Sequence, residues 1–414
     1  MDVVGHESEK IQRALKNHDI KFVHNPDYAD GLSTSLRAAI SALDSDTDGV
    51  VVCLGDMPGI SADHINALIN VFNPEAGKQI CIPTFNRLDC LDNCLNSILI
   101  SSKLVKDFQF EVCISDNYSD ESPEKILNKY KDDLNIVFKR NKTNLGFALN
   151  AINTIKFAKG RYAWLIGNDD LILPNTLNYL KNLFENNKQV EYFFINSYYL
   201  DSNLLKKYNQ PFDTNILQEL NLKKLSKLKE NKKVKFWEVI DPKVSWEFLI
   251  GIFLSIFNRE IWIQGLKSIN QKNIEDKRVW SNFDNTCLNA KIISTVFNDK
   301  NSYICATPLS VNLIGEREWA NMYDFVEIVR IPELLDYYRS QGMSFLRYVY
   351  CKNFALRNFF NFFAKIVING NKGGVQYVNF YKHFFRNLIF PNAWFSIIFF
   401  AIRNVKKVLR IKKE

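Results

Sequence analysis

A chain of 414 residues with 47% hydrophobic and 24% charged residues has room for two or three domains and excludes a disordered polymer. Its eight cysteines include no CxxC pair, which excludes a disulfide framework and suggests a reducing compartment. The net charge of +8 is local: Gly342 to Lys413 holds 13 Lys or Arg and no Asp or Glu, so the remainder is slightly acidic.

Residues 1–78 alternate strand and helix patterns. The opening "MDVVGHESEK" lacks the basic and apolar regions of a secretory signal, and none is expected. "KFVHN" reads as a short strand. In "GLSTSLRAAISAL", Leu32, Leu36, Ile40 and Leu43 share one helical face. "GVVVCLGDMP" has the continuous apolar run of a buried parallel strand, and "SADHINALINVF" follows as a helix capped by Ser61.

The alternation repeats from 79 to about 200. "QICIPTF", "FEVCIS", "NIVFKRN" and "YAWLI" read as strands. Between them lie the helix "DCLDNCLNSIL", with Leu91, Leu95 and Ile98 aligned, a helix opening at Pro123, and "GFALNAINTIKFAKG" closed by Gly160. Cys90 and Cys94 sit at helical spacing and read as packed thiols. Such repetition predicts a parallel sheet with helices on both faces. The lysine-rich stretch 201–240 reads as a solvated excursion. "FLIGIFLSIF" (Phe248 to Phe257) is too short to span a bilayer and reads as a core strand. From about 325 the chain is helical, aromatic and basic. Its last apolar run, Leu388 to Ile402, contains Pro391 and Asn392 and falls short of the ~20 residues of a spanning helix. An in-plane or re-entrant helix on an anionic membrane surface is expected, rather than nucleic-acid binding.

Ligands of an open parallel sheet bind beyond the carboxyl ends of its strands. The segments there are "PTFNR", "DNYSDE", "NKTNLGFALN" and "GNDD", each polar. In order, Pro83-Thr84-Phe85-Asn86-Arg87, "SDNYSDE", "NLGFALN" and "GNDDLILP" resemble the signature of the family 2 glycosyltransferases. The resemblance implies a GT-A fold: a Rossmann-like α/β domain of the nucleotide-diphospho-sugar transferase type, with a mostly parallel sheet flanked by helices. It would cover residues 79–324, between a partial α/β segment (1–78) and a helical tail (325–414). It also implies a nucleotide-sugar donor, UDP- or dTDP-linked, held by Pro83, Thr84, Asn86, Arg87, Asp116, Asn144, Gly146, Asn168 and Arg317. A carboxylate at Asp116 suits the imide N–H of uracil or thymine, and Arg87 suits a phosphate. Asn144 and Gly146 open a helix, where backbone N–H groups favour anions.

Asp169 and Asp170 supply hard oxygen ligands for Mg²⁺ or Mn²⁺. The family usually carries another aspartate where this chain has Gly167, which shifts the expected metal mainly onto Asp169, with Asp170 helping directly or through water. Asp284 in "WSNFDNTCLNAKI" is the expected general base, with Glu275 and Asp276 as rivals; Arg317 and Trp319 would close over the diphosphate or acceptor. The implied reaction is metal-dependent, inverting transfer to a glycan or lipid-linked acceptor in bacterial surface polysaccharide synthesis, at the cytoplasmic face of a membrane. The rival from another class is a membrane-bound sugar-nucleotide-binding protein without catalysis.

Residues 3–84 resemble the MobA-like nucleotidyltransferases of the molybdenum-cofactor cytidylyltransferase type, through "VVGHESEKIQRAL", "HNPDYADGLSTSLRAAI" and "GVVVCLGDMPGISADHINALI". Asp56 falls at that family's metal-binding aspartate. The glycine-rich loop that cradles its nucleotide is not among these residues, so nucleotidyl transfer is the weaker alternative and the segment is expected to be catalytically silent. His6, His18, His24 and His64 show no metal-ligand spacing.

Overall fold

The structure is a computed structural model that describes residues 1–44, 47, 50–54, 59–71, 78–315 and 320–411. The chain divides into two compact units, Met1–Pro74 and Glu75–Glu414.

In the first unit, β1 (Asp2–Val4) pairs in parallel with β2 (Phe22–His24). Helices α1 (Ser8–Ala14), α2 (Leu32–Ser41) and α3 (Ala62–Val71) accompany them. Among the described residues only Val4 and Asn25 are buried. Asn25 donates to the hydroxyls of Thr34 and Ser35 at 2.9 and 3.0 Å, tying α2 to the strand end. The parallel strand expected across "GVVVCLGDMP" does not form over residues 50–54; Val50, Val52 and Leu54 are exposed. A parallel strand needs neighbours on both sides and cover on both faces, and the two short strands provide neither. Leu32 and Ile40, on the predicted face of α2, are exposed for the same reason. Asp56 lies outside the described residues.

The second unit is built on a sheet of ten strands. Its centre is β3 (Lys78–Thr84), flanked in parallel by β4 (Phe110–Asp116) and β6 (Tyr162–Leu165), with β5 (Ile136–Arg140) outside β4. On the other side of β6 come antiparallel β11 (Ser255–Asn258), then β8 (Tyr192–Asp201) and β12 (Asn301–Ile314), which are parallel to each other. Short antiparallel strands complete the sheet: β7 (Asp170–Ile172) and β10 (Lys232–Lys235) on β12, and β9 (Lys223–Lys224) on β8. The chain therefore runs outward from β3 to β5 and returns to the opposite side of β3 at β6. That reversal makes the carboxyl end of β3 the topological switch point, where such sheets open a crevice.

The helices follow their sequence patterns. In α4 (Leu88–Ser102), Leu91, Cys94, Leu95 and Ile98 are buried. In α6 (Phe147–Phe157), Ala148, Ala151, Ile152 and Ile155 are buried. Full burial of one such leucine contributes about 2 kcal/mol. The lysine-rich excursion supplies β9 and β10, with its lysines exposed and Val234 turned inward. All eight cysteines are free.

Two expectations change. Only the last residues of "FLIGIFLSIF" are strand; before β11, Phe248 and Leu249 have φ of +50° and +71° in a buried turn. The tail is also no separate body. Ile331, Leu334, Leu335, Tyr338, Met343 and Cys351 join the core of the sheet, and a second apolar cluster gathers Phe325, Phe359, Phe363, Phe390 and Ala393.

Candidate functional site

Three loops meet at the switch point. After β3 the chain turns through Asn86 (φ +52°) and Arg87 (φ +57°) into α4. Asn accepts left-handed backbone readily; Arg does not, and two such residues in succession store strain of the kind that collects at working sites. Side chains hold the turn. The Asn86 amide N–H donates to Ser119 Oγ at 2.7 Å, and Asn86 Oδ1 accepts from the Asp120 N–H at 3.0 Å. Asn168 Nδ2 donates to Thr84 Oγ1 at 2.9 Å. Arg87 Nη1 donates to Asp169 Oδ2 at 3.0 Å. The turns carrying Thr84, Asp116 and Asp169 thus form one rim. Pro83 lies within β3, level with Ser115 of β4.

Asp116 is fully buried. Its carboxylate accepts from the Ser119 N–H and Oγ, and pairs with Arg140 Nε at 3.2 Å. In this form it offers no open edge to a nucleobase, contrary to expectation. The exposed group beside it is Tyr118 (φ +68°), whose ring lies 5.6 Å from the Arg140 guanidinium carbon. The polar residue types mark the loop in the sequence, whereas nothing in them marks the exposed ring of Tyr118.

The asparagines of "NLGFALN" wire loops together. Asn117 Oδ1 accepts the Leu145 N–H, and Asn144 Oδ1 accepts both Asn117 Nδ2 and the Gly146 N–H at 2.9 Å. Asn150 accepts from Ser115 Oγ and Asn141 Nδ2 and donates to the Ser115 carbonyl. The Gly146 N–H, expected with Asn144 to favour an anion, is therefore turned onto the Asn144 side chain, as the Leu145 N–H is onto Asn117. Gly146 has φ +82°, and a Cβ there would lie 3.4 Å from Lys277 Cα. The 275–281 segment accordingly borders this rim.

At the metal motif, Asp169 keeps its side chain 16% exposed beside Arg87, whereas Asp170 is buried. Asp170 is buried; it accepts the Gly167 N–H at 2.7 Å and Asn312 Nδ2 at 2.7 Å. It closes the turn onto β12, which corrects its expected service as a direct ligand. A Cβ on Gly167 would lie 2.6 Å from Asp169 Oδ1, so the glycine makes room for that carboxylate to fold back. Cys94 lies beneath; burial first, then the Asp170 and Asp169 charges, push its thiol well up. Among the described residues no three His, Cys, Asp or Glu side chains form a metal cage. One part-exposed carboxylate fits a cation that takes its other ligands from phosphate and water, as Mg²⁺ does.

Asp284 also departs from expectation. It is buried, paired with Lys291 Nζ at 2.5 Å, and accepts from the Asn270 N–H and Asn273 Nδ2. Both oxygens are engaged, so it anchors the 270–273 turn rather than presenting a free base. Asp276 is clamped by the Arg278 guanidinium, which holds its carboxyl well below the ordinary range. Glu275 is exposed and accepts from Gln271. Arg317 and Trp319 lie outside the described residues.

An acid not singled out from the sequence is Glu247. It accepts a hydrogen bond from Tyr199 Oη at 2.8 Å, and burial raises its carboxyl to about 7. Tyr199 on β8 is level with Asn312 on β12, which is level with Asp170 on β7. Glu247 is therefore anchored on the same sheet edge, to a residue two strands (roughly 10 Å) from the aspartate turn. It precedes the strained Phe248 and Leu249, and a Cβ at Gly251 would lie 2.7 Å from its Oε2. No sequence pattern marks it; the signals are burial and strain.

Comparison with known proteins bears on the second unit. Residues 79–240 match the model for Glycosyl transferase family 2. Over those residues the chain is similar to the family 2 glycosyltransferases. Residues 3–116 match the MobA-like NTP transferase domain, so the two matches overlap from 79 to 116, across β3 and β4. Among curated relatives, the abequosyltransferase RfbV of Salmonella typhimurium is 34% identical over 114 residues, 27% of this chain and 34% of that protein. The chondroitin synthase of Pasteurella multocida is 33% identical over 122 residues, 29% of this chain and 12% of that protein. The molybdenum cofactor cytidylyltransferase of Escherichia coli is 33% identical over 75 residues, 18% of this chain and 38% of that protein. The chain spans only 34–44% of the length of the first relatives it matches. Among solved structures, S. aureus TarS in complex with UDP-GlcNAc aligns at TM-score 0.44 and 16% identity, covering 72% of this chain and 74% of that one. The strand order and the family 2 match give the second unit a GT-A-type fold.

Proposed function

We propose that this glycosyltransferase moves a sugar from a nucleoside diphosphate to an acceptor hydroxyl, with inversion at the anomeric carbon and with a divalent cation. The observation that carries the reading is the single hydrogen-bonded rim joining Thr84, Asn86, Arg87, Asp116 and Asp169 at the switch point. The donor base is read as uracil or thymine, stacked on Tyr118 and reaching Asp116 once the Ser119 loop yields. Arg87, now on Asp169, is long enough to turn to the diphosphate. Asp169 would hold a divalent cation, which when bound would supply charge stabilisation to the leaving diphosphate. Arg87, which pairs with Asp169 at 3.0 Å, positions that carboxylate.

The base is read as Glu247. A carboxyl near 7 is matched to accepting a hydroxyl proton at neutral pH. Asp284, saturated by Lys291 and two amide groups, is read as structural. The acceptor is read as a glycan or lipid-linked saccharide of a bacterial surface polysaccharide.

The experiment is donor hydrolysis by the intact chain with UDP-, dTDP- and GDP-sugars, each with Mn²⁺ and with chelator. Release of UDP or dTDP only with metal is expected. No release from any donor sinks the reading and favours a binding protein without catalysis. The MobA-like match favours one second reading, nucleotidyl transfer; consumption of CTP by the same preparation would support it.

A further inference from the structure

The first part of the helix Pro391–Ile411, up to Ile402, is apolar on two sides. One side packs inward: Ala393 and Ser396 are buried, Ser396 Oγ accepts the Phe360 N–H at 3.0 Å, and the Phe360 and Phe400 rings meet at 5.1 Å. The other side carries Trp394, Phe395, Ile398 and Phe399, all more than half exposed. A surface helix of a protein surrounded by water puts polar residues there. The preceding helical turns add Phe385 and Ile389, at 59% and 78% exposure, and the two pieces meet at a bend of 97°. No single described helix is long and apolar enough to cross a membrane. A bent apolar edge of this kind suits insertion to interfacial depth. Patches of adjacent exposed aromatics mark interaction surfaces.

Charge names the occupant. The 72 residues from Gly342 to Lys413 carry 13 cationic side chains and no acidic one, and six of the cations fall after Ile402. A second copy would set this excess against itself; an anionic bilayer complements it. We propose that the bent pair Phe380–Ile402 seats the protein on an anionic lipid surface.

The seat is fastened to the segments around Trp280 and Ile250. Lys382 and His383 pair with Glu333, which pairs with Arg330 at 2.6 Å. Arg330 in turn donates to the Trp280 and Ser281 carbonyls. Ile250, beside the Glu247 turn, and Trp280 pack on the tail's own apolar cluster. Resting on the function proposed above, this fixes the acceptor class as a saccharide carried on a lipid, met at the bilayer surface.

The test is flotation of the full chain with vesicles of pure phosphatidylcholine or with a quarter phosphatidylglycerol. Binding to the anionic vesicles at least about tenfold above the neutral ones is expected, falling in high salt. The double variant Phe395→Ser/Phe399→Ser should lose about tenfold of that binding while keeping the wild-type melting temperature and donor hydrolysis. Equal flotation of variant and wild type, or no flotation on anionic vesicles, overturns the proposal. So does a wild-type dimer in light scattering that the double variant dissolves, which would make the face a contact between copies. Flotation is read without donor: binding without turnover sinks only the enzyme reading, and turnover without binding sinks only the seat.

Discussion

Met1–Pro74 and Glu75–Glu414 are written in the same alternation of apolar strands and amphipathic helices, yet among the described residues only the second closes a core. In the second, Ile80, Cys81, Ile82, Val112, Cys113 and Ile114 are covered on both faces by α4, α6 and their neighbours. In the first, two strands of three residues face each other, and Leu32 and Ile40 on the apolar side of α2 stay in water. The difference teaches that periodicity specifies an element, whereas burial requires partners. A two-stranded sheet is marginal alone, and a third strand with a packed face is the usual threshold.

The largest expected effect separates the two units by chemistry. Asp169→Asn should lower transfer by about 10²–10³-fold, the scale of losing one charge-stabilising group, with an unchanged melting temperature. The matched change Asp56→Asn in the first unit should leave donor hydrolysis untouched. Steady-state UDP release checks both, and an active Asp169→Asn enzyme would remove that residue from the site. Next comes a pair that reads packing. Leu95→Ala, in the fully buried face of α4, should cost about 2–5 kcal/mol in urea unfolding. Leu32→Ala, 56% exposed on α2, should cost less than about 0.5 kcal/mol. Equal losses would show that the first unit buries more than its exposed helix face indicates.

The sequence made the sheet legible because β3, β4 and β6 are buried on both faces and read as unbroken apolar runs. It made the rim legible because polar turns after successive parallel strands share one edge. Side-chain direction was not legible. Asp169 and Asp170 are adjacent in sequence, and only the pairing of β7 with β12 leaves one part-exposed and turns the other onto Asn312. Asp284 sits in a motif-like context, but Lys291, two helical turns on, takes its charge. Glu247 was hidden at the edge of an apolar stretch that reads as strand, because positive φ at Phe248 and Leu249 leaves no trace in residue type.

The Glu247 effect is the most diagnostic, because it should move activity and stability in opposite directions. Below about pH 4.5 its carboxyl is protonated in folded and unfolded chains alike, and it costs nothing. Between there and about 7 the unfolded chain ionises while the folded one keeps its proton, so stability falls as pH rises. Above 7 the cost is complete, on the order of 1–3 kcal/mol for a partly water-touched group. Transfer needs the ionised base, so kcat/KM should climb through the same window and level off above it. Glu247→Gln keeps the Tyr199 hydrogen bond, should flatten the stability slope between pH 4.5 and 7, and should remove the acidic limb of the rate profile with a loss of about 10²-fold. A flattened stability curve with an intact rate profile would leave Glu247 as a buried structural acid and return the search for the base to Glu275, on the segment beside Gly146.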